Sequence, residues 1–234
     1  MKWSHGKFLI AAAIPVIVAA VPGVTFATCS TPGQPDGPPT WDPSVSIPRT
    51  ATIGWGTDIG PGVTISRYVH IGICGQIGMD GNGGSLSAKA SLGDNVIMDN
   101  GSGLSTKAHV GDNSHIDGSR IGSYANVGAG SKLTGTIVSS HASIGAGSTL
   151  TGSRLSSYAH TGSTATLTGT YMGYKSGLGD TVTIDTGTRV NRYANVDSNV
   201  NIVDNVYIGA NAHICADITT SGMYIGSRRS YGCP

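Results

Sequence analysis

The chain has 234 residues, 36 of them Gly, with 12% charged residues, 6% aromatics and a net charge of +1. That balance gives no electrostatic case for nucleic acid or an anionic membrane surface. It is too poor in bulky apolar residues for an ordinary globular core, yet too regularly apolar for disorder.

The first segment reads as a signal peptide spanning 1–27. Lys2 and Lys7 supply positive charge, Phe8 to Val21 is an apolar run broken by Pro15, and Thr25 and Ala27 are small residues before a cut after Ala27. The run is too short and too interrupted for a transmembrane helix, so no transmembrane segment is expected in the mature chain. A lipobox would place Gly, Ala or Ser where Thr28 stands, which favours cleavage over lipidation of Cys29. Residues 28–46 are Pro-rich and aperiodic, and are expected to form a linker or an N-terminal cap.

From Ile47 a six-residue beat takes over. Ile47, Ile53, Ile59, Ile65, Ile71 and Ile77 stand six apart. After a small insertion around GMDGNGGS the series resumes at Leu86, Leu92, Met98, Leu104, Val110 and Ile116. A small or β-branched residue sits two before each aliphatic, as at Val69, Ala90 and Ala108. Beyond Ile116 every third step shortens to five. The repeat becomes 17 residues, visible in RIGSYANVGAGSKLTGT followed by IVSSHASIGAGSTLTGS. Steps of six return at Val190 and continue through Val196, Ile202, Ile208 and Ile214.

A strand alternates faces every two residues, so a step of six preserves side. The aliphatic and the small residue two before it therefore both point inward, and a corner falls in each hexad. Three hexads close a triangular coil of about 17–18 residues that buries its inner face only by stacking on its neighbours. About ten coils at ~4.8 Å each predict a prism roughly 50 Å long. The expected fold class is all-β, a parallel β-helix over 47–226, with 227–234 as a C-terminal tail or cap.

This pattern resembles the hexapeptide-repeat superfamily, whose fold is the left-handed parallel β-helix, over roughly Ile47 to Ile225. The resemblance implies trimeric acyl- or acetyltransferases that bind an acyl donor between prisms and use a catalytic His as base. The stretch NAHICAD, from Asn211 to Asp217, is similar to the NAHIAHD of lipid A-type acyltransferases. It retains Asn211 and His213 but has Ala216 where that family places its catalytic His. The resemblance also brings in the zinc-dependent γ-class carbonic anhydrases. His109 and His115 fall in equivalent slots on different faces, which does not make a metal site within one chain. No catalytic residue, metal or cofactor is expected.

Four cysteines allow three pairings. Cys29–Cys74 and Cys215–Cys233 are the economical choice, the second pair being 18 residues apart and so about one rung apart. Tyr68, Lys89, Lys107, Tyr124, His141, Tyr158, Lys175 and Tyr193 recur three before the aliphatic. They form an exposed stripe, either as ordinary ladder packing or as a contact face for another prism, a glycan or a surface. Thr134, Thr151 and Thr168 face outward, but Thr136, Ser153 and Thr170 fall in the inward slot, so the Thr-Gly-Thr motif offers only a single file to ice.

These readings lead to a secreted or cell-surface structural or adhesive protein that self-associates as a trimer or a fibre, with a surface glycan as a further partner and no nucleic acid. The alternatives are an extracytoplasmic acyl- or acetyltransferase and an ice- or glycan-binding surface protein.

Overall fold

The computed structural model describes Cys29 and residues 37–234. The expected signal peptide, 1–27, lies outside the described residues. What is described is a left-handed parallel β-helix of triangular section. Its strands are two or three residues long and pair in parallel with the coil before and the coil after.

Face one runs from Thr40–Trp41 through Asp58–Ile59 and His115–Asp117 to Asn201–Ile202, as ten strands. Face two runs from Val63–Ile65 through Arg120–Ile121 to Tyr224–Ile225, again as ten strands. Face three begins at Thr52–Ile53 and ends at Ser230–Tyr231. It is interrupted where Thr161 occupies an inward aliphatic slot. There the strand shrinks to a bridge at His160, which pairs with Ser143 on one side and Gly177 on the other. The Thr161 hydroxyl takes a bond from the Gly145 amide, 3.2 Å, so the polar side chain is satisfied inside the core.

One hexad shows the grammar. Lys107 takes a left-handed φ of 58°; Ala108 points in; His109 points out; Val110 points in; Gly111 and Asp112 turn the corner to Asn113, with φ of 57°. Backbone bonds then run coil to coil, such as the His109 amide to the Ala125 carbonyl, 3.0 Å, and the Gly111 amide to the Val127 carbonyl, 2.8 Å. The aliphatic file is fully buried from Ile71 to Ile214 and forms one continuous hydrophobic cluster. Each coil thus covers the apolar floor of the next, and stability accumulates through neighbour contacts.

The stacking reaches beyond the expected limits of 47–226. Thr40 and Trp41 pair in register with Asp58 and Ile59, and Val45 is buried in the core, so part of the Pro-rich segment already belongs to the prism. At the other end Ser230–Tyr231 pairs with His213–Ile214. Proline ends the periodicity before it ends the pairing, because an end strand bonds on one side only and tolerates a missing donor.

The three edges differ. At edge two–three a local turn closes each corner: the Ala142 amide donates to the Ser139 carbonyl, 3.2 Å, with His141 between them at φ 60°. The inward slot after it is Ala on coil after coil, at Ala108, Ala125, Ala142 and Ala159. At edge one–two the 17-residue coils omit one residue, and no local carbonyl serves the inward amide. A hydroxyl on the preceding coil serves it instead. Thr136 donates to Ser119 Oγ, 2.9 Å, and Thr170 donates to Ser153 Oγ, 3.2 Å. These hydroxyls also donate onward, as Ser153 does to the Leu167 carbonyl, 3.3 Å. The same bond recurs at edge three–one, where no residue is omitted: the Ser131 amide donates to Ser114 Oγ, 3.3 Å, and the Ala165 amide to Ser148 Oγ, 3.2 Å, so inward Ser and Thr serve both edges that lack a local turn.

Both disulfides follow the expected pairing, Cys29–Cys74 and Cys215–Cys233. Among the described residues no helix is long and apolar enough to cross a membrane.

Candidate functional site

The stripe expected from the sequence lies on edge two–three rather than on a flat wall. Tyr68, Lys89, Lys107, Tyr124, His141, Tyr158, Lys175 and Tyr193 all carry left-handed backbone, with φ between 53° and 62°. Asn211 and Arg228 continue the same file. A turn with a positive φ at its third residue ordinarily takes Gly or Asn, because a side chain there crowds the neighbouring carbonyl. Here long and aromatic side chains occupy the position in succession. Their amides still bond along the edge, Tyr124 to the Thr106 carbonyl at 3.1 Å and His141 to the Ser123 carbonyl at 3.0 Å.

The side chains form a continuous ladder. His141 stacks between Tyr124 and Tyr158, with centroids 4.9 and 4.8 Å away and ring planes within 8° and 1°. The ladder then turns edge-on through Tyr174 to Tyr193, at 5.7 Å for each step. Lys107 Nζ lies 4.7 Å from the Tyr124 ring and 3.2 Å from its hydroxyl. Lys175 sits among Tyr158, Tyr174 and Tyr193. Such ring pairs and cation contacts each contribute about 0.5–1 kcal/mol at exposed sites. The tyrosines of the stripe nonetheless remain 44–56% exposed.

A second file lies beside the stripe and was not singled out from the sequence. On face two the outward positions read Arg120, Ile137, Arg154, Tyr171, Arg189, Tyr207 and Tyr224, each paired in register with the next. Arg189 lies 5.0 Å from the Tyr171 ring, and Tyr207 stacks on Tyr224 at 4.8 Å. An open groove of about 390 Å³ joins the two files, lined by Tyr171, Tyr174, Asn191, Arg192 and Tyr207 among others. The sequence signal is weak, because the one residue per coil that defines the file recurs only every 17 or 18 positions.

Charge divides by side. Among the described residues every Lys and Arg except Lys132 lies on face two or at edge two–three, Arg228 and Arg229 closing that edge. Every described Asp lies on face one or on the two edges that bound it. Many of these carboxylates turn back onto backbone: Asp94 accepts from the Ile73 amide at 2.9 Å, Asp112 from Asp94 at 2.9 Å and Asp180 from Ser163 at 2.6 Å. Asp99 is only partly served in this way. Its Oδ1 is buried without a hydrogen-bond partner, and burial, followed by the charge of Asp80, holds its carboxyl above the ordinary range.

Asn211 and His213, the residues similar to an acyltransferase stretch, fall apart. Asn211 is a corner residue with φ 55°, on the edge, while His213 points out from face three. His213 Nε2 is 2.7 Å from Asp197 Oδ1 and 3.6 Å from Cys215 Sγ. Both contacts fall on Nε2. Cys215 and Cys233 complete a group of ligand atoms within 4.8 Å, but their sulfurs are bonded to each other and are not thiolates. Thr134, Thr151 and Thr168 stand in register on the outer side of face one, and Thr136, Ser153 and Thr170 are buried.

No protein-family model matches the chain, and no curated protein matches it by sequence. Solved structures do. A UDP-N-acetylglucosamine acyltransferase is similar over 80% of this chain and 71% of its own, at 12% identity and a TM-score of 0.38. The UDP-N-acetylglucosamine acyltransferase of Francisella novicida is similar over 80% and 67%, at 15% identity and a TM-score of 0.33. That of Arabidopsis is similar over 82% and 71%, at 10% identity and a TM-score of 0.33.

Proposed function

We propose that the protein is a secreted or cell-surface structural rod with an adhesive edge, which self-associates. The observation that carries this reading is the ladder at edge two–three. Residues that strain their backbone are retained where they gain something from their position, and such strain clusters at working surfaces. The eight residues of the stripe hold left-handed backbone and present their side chains to solvent. The disulfides lie toward the two ends of the stack, where they brace the coils next to unpaired parallel strands. Signal-peptide composition and two disulfides are both in keeping with an oxidising compartment.

Negative-stain microscopy and light scattering of the mature chain test this. Rods joined side by side or end to end into fibres are the expected result. Discrete trimers that gain thermal stability from acyl-CoA would overturn the reading in favour of an acyltransferase.

A further inference from the structure

We infer that face two and edge two–three together bind a linear acidic polysaccharide laid along the prism axis. This rests on the adhesive reading above and names the partner of its working edge.

The first ground is the spacing of charge. From Arg67 to Arg192 every rung carries a Lys or Arg on face two or at edge two–three, except the rung that holds His141. The sequence along the axis is Arg67, Lys89, Lys107, Arg120, His141, Arg154, Lys175, then Arg189 with Arg192. Rungs repeat at about 4.8 Å, which is close to the length of one extended pyranose unit. A chain with one carboxylate or sulfate per sugar thus meets a cation at nearly every unit.

The second ground is the absence of carboxylates from this side among the described residues, while the rest of the prism holds all the described Asp. A surface of one sign concentrates opposite charge and repels like charge. The acids on the other side are largely engaged by backbone amides, but the described Lys and Arg make no ion pair.

The third ground separates a glycan from a single-stranded nucleic acid. Nucleic-acid platforms offer the flat faces of aromatic rings to bases. In the Tyr124–His141–Tyr158 stack those faces are turned to one another along the axis. The ring edges are left to solvent instead, Tyr124 and Tyr158 being about half exposed and the Tyr124 hydroxyl accepting from Lys107. Hydroxyls and cations in file suit a hydroxylated polyanion.

The test is retention of the full mature protein on immobilised polygalacturonate, with dextran as the neutral polymer. Retention on polygalacturonate that falls at least about tenfold between low and moderate salt is expected, with none on dextran. Arg154→Gln should weaken retention several-fold, and the triple variant Arg120→Gln, Arg154→Gln, Arg189→Gln should abolish it. Lys132→Gln removes one charge from face one and should leave it unchanged. Circular dichroism of each variant confirms the fold. Equal loss in Lys132→Gln and Arg154→Gln, equal retention on dextran, or no retention at low salt would overturn the inference. So would single-stranded DNA displacing polygalacturonate at lower charge concentration than soluble polygalacturonate itself. Failure here with fibres still seen by microscopy removes the glycan partner and leaves the rod; absence of fibres with salt-sensitive retention does the reverse.

Discussion

Face two is bounded by two edges that bend the backbone alike and decorate it oppositely. On edge one–two, Gly118, Gly135, Gly152 and Gly169 have φ between 51° and 57°. On the same coils, across one short strand, Tyr124, His141, Tyr158 and Lys175 have φ between 53° and 61°. Glycine adopts this conformation without steric penalty, whereas an L side chain there costs roughly 1 kcal/mol or more. The backbone requirement is thus the same at both edges, and one of them meets it in the less favourable way. Stacking returns part of that strain, about 0.5–1.5 kcal/mol per ring pair. Edge one–two is built for stability and edge two–three for what it presents.

The largest effect is expected from the hydroxyl that replaces the missing turn at edge one–two. Ser153→Ala strips the Thr170 amide of its acceptor in a buried site. It should lower unfolding free energy by about 1–3 kcal/mol in denaturant titration. The inward alanine at edge two–three needs no such partner, because its amide is closed by the local turn, so Ala142→Gly should cost less, about 1 kcal/mol.

Next comes the glycine file. Gly152 has φ 57° and open space around the position of an added Cβ, so Gly152→Ala tests backbone strain alone. A loss of about 1 kcal/mol is expected from the shift in denaturation midpoint. No loss would mean that left-handed backbone is free of strain in this prism, and edge two–three would need no special explanation.

A smaller effect is expected where edge one–two meets face one. The Asp99 carboxyl is held above its ordinary value by burial and then by Asp80. Its folded value therefore exceeds its unfolded one. Its contribution to stability is fully present below the ordinary value of 3.8 and is lost as pH rises through the raised folded value. Asp99→Asn should thus match the parent in acid and exceed it at neutral pH by a few tenths of a kcal/mol. Thermal melts at pH 3 and pH 7 measure the difference.

The hexad makes much of the fold legible in the sequence. Leu92, Met98, Leu104, Val110 and Ile116 stand six apart, and period two within a step of six assigns inside and outside to each neighbour. That frame places Thr136 inward and Thr134 outward, and it puts the Tyr/Lys stripe on the surface. Three features were not legible. Pairing before Ile47 was hidden because Trp41 stands in the place of an aliphatic and prolines surround it. The left-handed backbone of the stripe was hidden because turn chemistry predicts Gly or Asn there, and Tyr124 or Lys107 read locally as surface residues. The outward file of Arg120, Arg154 and Arg189 required knowing which of three faces each hexad supplies, which six-residue spacing alone does not distinguish.

The most direct test replaces edge two–three with the chemistry of edge one–two. In the variant Tyr124→Gly, His141→Gly, Tyr158→Gly, Lys175→Gly, relief of strain offsets the lost stacking. Its unfolding free energy should stay within about 1 kcal/mol of the parent, while retention on polygalacturonate falls several-fold. A variant destabilised by several kcal/mol, or one as stable as the parent and retained as well, would contradict the division of labour between the two edges.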